Sequence, residues 1–144
     1  MGHILIDMRL IYFTFLYFLF VPTLGICKCP DSEEFSKECL KAKTDSMVYY
    51  QIYKKIGGEC DDGLYAEAAS DATVGILGYK EGLIEVLKMC GKEKKFCDFV
   101  EKHIDGTVLK EDLERVIKNA TTSCPVKEND RCSRIITMAK EALY

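Results

Sequence analysis

The chain has 144 residues and a formal net charge of −3, because 23 acidic side chains slightly outnumber 20 basic ones. This balance lacks the concentrated positive charge with which nucleic-acid-binding domains contact phosphates, so we expect no nucleic-acid partner. Eight cysteines in so short a chain make cross-linking the first question that the composition raises.

The first 25 residues have the pattern of a secretory signal peptide. Arg9 supplies a basic start, and residues 10–21 form an apolar run that is shorter than the roughly 20 residues of a membrane-spanning helix. Thr23 and Gly25 occupy positions −3 and −1 of a cleavage site before Ile26. We therefore expect residues 1–25 to be removed and residues 26–144 to form one secreted, cysteine-rich domain without a membrane attachment.

Secretion leads to an oxidising compartment, where cysteines normally pair. We therefore expect four disulfides, and neither a metal ion nor a cofactor, since only one histidine lies outside the leader. The predicted disulfide cysteines are Cys27, Cys29, Cys39, Cys60, Cys90, Cys97, Cys124 and Cys132.

Five segments after the leader have helical periodicity, which predicts an all-α fold. The first predicted helix begins at Asp31, which forms a capping box with Glu34, and it ends at Gly57. The second follows Asp62 (or Asp61) and continues to Gly91. Because the connection between them is short, these two helices are expected to form a long antiparallel hairpin.

Three shorter helices are expected to pack against this hairpin. They are predicted over residues 94–104, over residues 108–121 with Thr107 as N-cap, and after Asn129. Few aromatic side chains remain outside the leader, so the core should be thin and the cross-links should compensate for it.

The hairpin geometry suggests which cysteines can meet. Folding about residue 59 places Cys90 beside Cys27 and Cys29, so these residues and Cys97 are expected to pair across the hairpin. The other predicted pairs are Cys39–Cys132 and Cys60–Cys124. The alternative is local closure through Cys90–Cys97 and Cys124–Cys132.

Three tyrosines, Tyr49, Tyr50 and Tyr53, cluster near the end of the first predicted helix. Tyrosine is favoured at protein interfaces because it combines contact area with a hydroxyl group, so a partner surface is one interpretation. The other interpretation is that these side chains cover the end of a thin core with their hydroxyls in water.

A stripe of mostly small side chains on the second predicted helix also has two interpretations. Ala68, Ala72, Ile76 and Tyr79 could line a groove that binds an apolar ligand, together with residues of the last helix. Alternatively, the small residues allow another helix to approach closely.

The sequence contains no G-x-S-x-G or H-E-x-x-H motif. His103 lies on the apolar face of the third predicted helix, where packing near the helix C-terminus is more common than a catalytic or pH-sensing role. Asn119 begins a glycosylation sequon and lies about 110° from the apolar stripe of its helix, so we expect it to be exposed and glycosylated.

Two functional classes remain, and neither is enzymatic. The first is a secreted factor that binds an extracellular protein, and the second is a carrier that holds a small hydrophobic ligand between helices. A thin core leaves little apolar surface for a cavity, so protein binding is preferred. The segment CGKEKKFC resembles the first cysteine pair of arthropod chemosensory proteins in its spacing, but the spacing to Cys124 and Cys132 departs from that family.

Overall fold

The computed structural model describes residues 29–144, and helices account for all the regular secondary structure in this range, which confirms the all-α prediction. The predicted leader, residues 1–25, and Cys27 lie outside the described residues. No helix in residues 29–144 combines the length and the apolar character needed to cross a membrane. The elements are α1 (Ser32–Ala42), α2 (Ser46–Ile56), α3 (Gly63–Leu77), α4 (Lys80–Cys90), α5 (Lys94–Lys102), α6 (Lys110–Thr122), a 3-10 turn (Val126–Glu128) and α7 (Asn129–Glu141).

The prediction of a long N-terminal hairpin is wrong, because the structure divides each of its two predicted helices into two shorter helices. Asp45 starts α2 as an N-cap: its carboxylate accepts hydrogen bonds from the backbone N–H groups of Met47 and Val48 at 2.9 and 3.1 Å. This local cap ends the preceding helix, so that α1 and α2 pack against each other and both contact α3. The Asp31 cap is confirmed, since its carboxylate accepts from the N–H groups of Glu33 and Glu34.

The second predicted helix divides after Leu77, and α4 begins at Lys80. Gly82 permits the close approach of the two halves, because a Cβ at this position would overlap the carbonyl oxygen of Ile76. Further along the chain, Thr107 is not the N-cap of α6, which Leu109 occupies. The backbone N–H and the hydroxyl of Thr107 both donate to the Asp105 carboxylate instead.

Helix α3 is the centre of the fold and contacts α1, α2, α4 and α6. It approaches the end of α1 closely, since a Cβ at Gly75 would lie 2.6 Å from the side chain of Lys43. The other part of the core is aromatic: Phe96 of α5 is fully buried among the rings of Tyr49, Tyr50 and Tyr53.

Among the cysteines of residues 29–144, the structure forms two disulfides, Cys29–Cys60 and Cys124–Cys132. The predicted pairs Cys39–Cys132 and Cys60–Cys124 and the pairing of Cys29 with Cys90 or Cys97 are therefore wrong, because they assumed a straight hairpin. The local alternative is confirmed for Cys124–Cys132 but is wrong for Cys90–Cys97, whose thiols are free in this structure. Among residues 29–144, free thiols remain on Cys39, Cys90 and Cys97, all of them buried.

Candidate functional site

Tyr49 lies inside the core, and the prediction that it contributes to an exposed surface is wrong. Its side chain is fully buried, and its hydroxyl is 2.7 Å from the hydroxyl oxygen of Thr73. Thr73 gives its own hydrogen to the carbonyl of Ala69, so Tyr49 is the donor in this pair. Burial raises the pKa of Tyr49 well above its ordinary value.

Tyr50 and Tyr53 direct their hydroxyls to one carboxylate, that of Glu93 in the turn between α4 and α5. The two hydroxyls donate to Glu93 at 2.5 and 2.6 Å, and the Lys54 ammonium donates at 2.8 Å. The Lys54 ammonium and then the two hydroxyls lower the pKa of Glu93 to about 2. Tyr53 is buried and Tyr50 is half-buried, so Tyr50 is the one member of the predicted tyrosine surface that solvent reaches appreciably.

The predicted ligand groove does not form from the four residues that were expected to line it. Ala72 and Ile76 are buried in the core, whereas 52% of Tyr79 is exposed at the start of α4. Ala68 is half-buried. Gly75 lies on the same helix as these small residues, and the Lys43 side chain packs directly on it. The small residues therefore support the alternative interpretation of close helix approach.

Asn119 is buried, so the expectation that it is exposed is wrong. Its side-chain nitrogen donates a 2.7 Å hydrogen bond to the carbonyl of Leu77, the last residue of α3. A glycan attached to this nitrogen would have to occupy the contact between α6 and α3.

We therefore predict that the folded protein carries no glycan at Asn119. Digestion of protein secreted from eukaryotic cells with an N-glycosidase should leave its mass unchanged, because a glycan would replace the hydrogen bond to Leu77 and separate two helices. Asn119→Gln, which removes the sequon, serves as the mass reference. A glycan on correctly folded, fully helical protein would contradict this packing.

His103 is the centre of a buried polar network at the end of α5. Its ring is 1% exposed, its Nε2 lies 2.9 Å from Asp61 Oδ1, and its Nδ1 lies 3.0 Å from Ser70 Oγ. Ser70 in turn donates to Asp105 Oδ2 at 2.7 Å. Ser70, His103 and Asp61 therefore lie in the order of a hydrolase triad.

The burial and the proton positions of this network favour a structural role. Ser70 is fully buried and its hydroxyl donates to Asp105, so its oxygen is free to accept from the His103 Nδ1 side of the ring. His103 Nε2 faces Asp61 Oδ1 at 2.9 Å without the alignment of a hydrogen bond, and neither atom has another partner within residues 29–144. Burial lowers the pKa of His103, against the opposing effect of the Asp61 carboxylate. The network joins the α2–α3 turn, α3 and the segment after α5.

This direction of the His103 pKa predicts how stability depends on pH. The unfolded chain binds a proton below about pH 6.5, whereas the folded chain resists it. The free energy of unfolding should therefore be highest above about pH 6.5 and should decrease as the pH is lowered below that value. Urea unfolding of the wild type and of His103→Gln between pH 5 and 7.5 should show a smaller slope for the variant. If the wild type becomes more stable on acidification, the Asp61 carboxylate outweighs burial.

A surface pocket of about 530 Å³ lies between the α4–α5 turn and α7. Its lining carries four basic and two acidic side chains, so it is locally positive although the whole chain is negative. Three of the basic groups already form ion pairs, Arg131 with Glu128, Arg134 with Glu101 and Lys94 with Asp98, which leaves Lys92 as the cation of the lining that has no ion pair among the described residues. The pocket is lined by Cys90, Gly91, Lys92, Lys94, Cys97, Asp98, Glu101, Arg131 and Arg134.

The two free thiols, Cys90 and Cys97, both line this pocket. Their mutual interaction and burial raise the pKa of Cys90, and the interaction with Cys90 lowers the pKa of Cys97. Burial and the Glu101 carboxylate act in the opposite direction on the pKa of Cys97, and Arg131 and Arg134 lower it by smaller amounts. A thiol with a lowered pKa at a pocket wall can act as a nucleophile or as an anionic contact.

No group of three or more histidine, cysteine, aspartate or glutamate side chains in residues 29–144 is arranged to hold a metal ion. Cys90 and Cys97 were predicted only as disulfide cysteines and His103 only as a packed side chain, because the pocket and the buried network each join residues from several elements. For the thiols, the one available signal was the short spacing between Cys90 and Cys97.

Comparison of the chain with known proteins found no matching family, no similar curated protein and no matching solved structure.

Proposed function

We propose that the protein is a secreted, non-catalytic factor that binds an extracellular protein. The packing of α3 carries this preference: Ala72 and Ile76, which would line a ligand groove in a carrier, are buried against neighbouring helices. The signal-peptide pattern of residues 1–25 and the two disulfides support secretion. The full burial of Ser70 supports the absence of hydrolase activity.

The pocket between the α4–α5 turn and α7 is the surface that we propose for the partner. Lys92 and Arg134 are both exposed at this pocket and carry the same charge. A local excess of positive charge on a chain of net charge −3 favours an acidic segment of a partner, and it should act mainly on the rate of association. Tyr50 stays a candidate for a second contact.

The first experiment separates the partner-binding hypothesis from the carrier hypothesis. Protein purified gently from culture medium is analysed by native mass spectrometry and titrated with a fluorescent fatty acid. We expect the bare polypeptide mass and no uptake of the probe. A co-purifying lipid of defined mass, or saturable uptake of the fatty acid, would replace protein binding with the carrier function.

The second experiment tests the surface. An acidic model peptide, such as a decamer of glutamate, is titrated against the wild type and against Lys92→Glu/Arg134→Glu at low and physiological salt. We expect weak, salt-sensitive binding that the double variant abolishes. Lys118→Glu/Lys140→Glu, which reverses two exposed charges elsewhere on α6 and α7, is the charge-matched control and should bind nearly as well as the wild type. Equal loss in both variants would assign the effect to net charge and reject the pocket.

A further inference from the structure

The free thiols of Cys90 and Cys97 occupy the same structural position as a disulfide elsewhere in the chain. In Cys124–Cys132, one cysteine lies just after α6 and the other is the fourth residue of α7. Cys90 is the last residue of α4, and Cys97 is the fourth residue of α5. The first pair is separated by 8 positions and has a Cα–Cα distance of 6.2 Å, so this helix–turn–helix arrangement is compatible with a disulfide.

The two thiols also have complementary chemistry. Cys97 has the lowered pKa and faces the pocket with the arginines, so it is the better source of a thiolate. Cys90 is the thiol that keeps its proton, because its interaction with Cys97 and its burial raise its pKa. The third free thiol, Cys39, is buried on α1, and burial raises its pKa to about 12.

We propose that Cys90 and Cys97 are a site of thiol–disulfide exchange, which reacts with a small external disulfide and becomes a third disulfide that joins α4 to α5. The inference concerns the covalent state of the pocket and does not depend on the identity of any protein partner.

The reaction has two steps. The Cys97 thiolate attacks one sulfur of the external disulfide, which forms a mixed disulfide and releases one thiolate. Cys90 then loses its proton and attacks the Cys97 sulfur, which releases the second thiolate. The two protons from the cysteines neutralise the two released thiolates. The pair is thereby oxidised by two electrons, and the external disulfide is reduced to two thiols.

Peptide mapping tests the product. Secreted protein is incubated with oxidised glutathione at neutral pH, its remaining thiols are alkylated under denaturing conditions without reduction, and it is digested with trypsin. We expect residues 89–92 joined to residues 96–102, at a mass two hydrogens below the sum of the two peptides. Recovery of both peptides in alkylated form, or a link from either one to Cys39, would overturn the proposal.

Single variants test the order of attack. In Cys90→Ser the remaining Cys97 should form a stable mixed disulfide with glutathione, because the resolving thiol is absent. In Cys97→Ser the remaining Cys90 should react roughly tenfold more slowly, since it is buried and has the higher pKa. Cys39→Ser is the control and should leave the 90–97 product unchanged. Equal rates for the two pocket variants would overturn the assignment of Cys97 as the attacking thiol, and circular dichroism verifies that each variant is folded.

Discussion

Phe96→Ala is expected to lower the free energy of unfolding by about 3–5 kcal/mol, the largest effect of any single substitution that we predict. The Phe96 ring is fully buried, with ring centroids 5.8, 5.2 and 5.3 Å from those of Tyr49, Tyr50 and Tyr53. Removing it leaves a cavity where α2 meets α5 and also removes three edge-to-face aromatic contacts. Urea unfolding followed by far-UV circular dichroism measures the loss.

Two companion variants of Phe96→Ala make the measurement specific. Phe96→Leu keeps much of the volume and should cost about 1–1.5 kcal/mol. Lys95→Ala changes an exposed neighbour on the same helix and should change stability by less than about 0.5 kcal/mol. If Phe96→Ala cost no more than Lys95→Ala, Phe96 would not be part of a packed core.

The double variant Cys29→Ser/Cys60→Ser is expected to lose more stability than Cys124→Ser/Cys132→Ser. The first disulfide closes a sequence separation of 31 and the second a separation of 8. The loop-entropy relation then gives losses of about 3.7 and about 2.5 kcal/mol, because the longer loop restricts the unfolded chain more. Removing both cysteines of a pair avoids an unpaired thiol that would form a new cross-link.

The comparison between the two double variants is made by urea unfolding under non-reducing conditions, with far-UV circular dichroism as the signal. In the Cys29→Ser/Cys60→Ser variant, the hydrogen bond from the Tyr65 hydroxyl to the Pro30 carbonyl, 2.7 Å long, still holds the segment before α1. A larger loss from the Cys124–Cys132 pair would show that the folded contacts around each bridge, and not loop length, determine its contribution.

Helix positions could be predicted from periodicity, but helix breaks could not. Asp45 begins α2 in the middle of a predicted helix, and the apolar stripe continues across the break because α1 and α2 face the same core. The segment Thr44–Asp45–Ser46 contained a capping signal. A capping residue can also lie inside a continuous helix, so the local sequence alone does not decide whether the helix ends there. Packing against α3 decides it. The break after Leu77 has no side-chain cap at all.

The errors at individual sites follow from the same missing tertiary information. The angular position of Asn119 on its helix predicted exposure, but the end of α3 covers that side and supplies the Leu77 carbonyl. Tyr49 was placed in a surface cluster because its neighbours in sequence are tyrosines, whereas α5 buries it. Local spacing succeeded for Cys124–Cys132 because a short turn brings these two residues together whatever the rest of the chain does.

The hydrogen bonds that the Glu93 carboxylate accepts from two tyrosines should determine the intensity of this protein's intrinsic fluorescence. The sequence contains no tryptophan, so tyrosine dominates its intrinsic ultraviolet emission. A phenol that donates a strong hydrogen bond to a carboxylate emits weakly, and Tyr50 and Tyr53 both make this bond to Glu93. Because Glu93 lies between Cys90 and Cys97, any rearrangement of that turn that releases the two phenols should brighten the emission, which allows the turn to be followed in solution without a label.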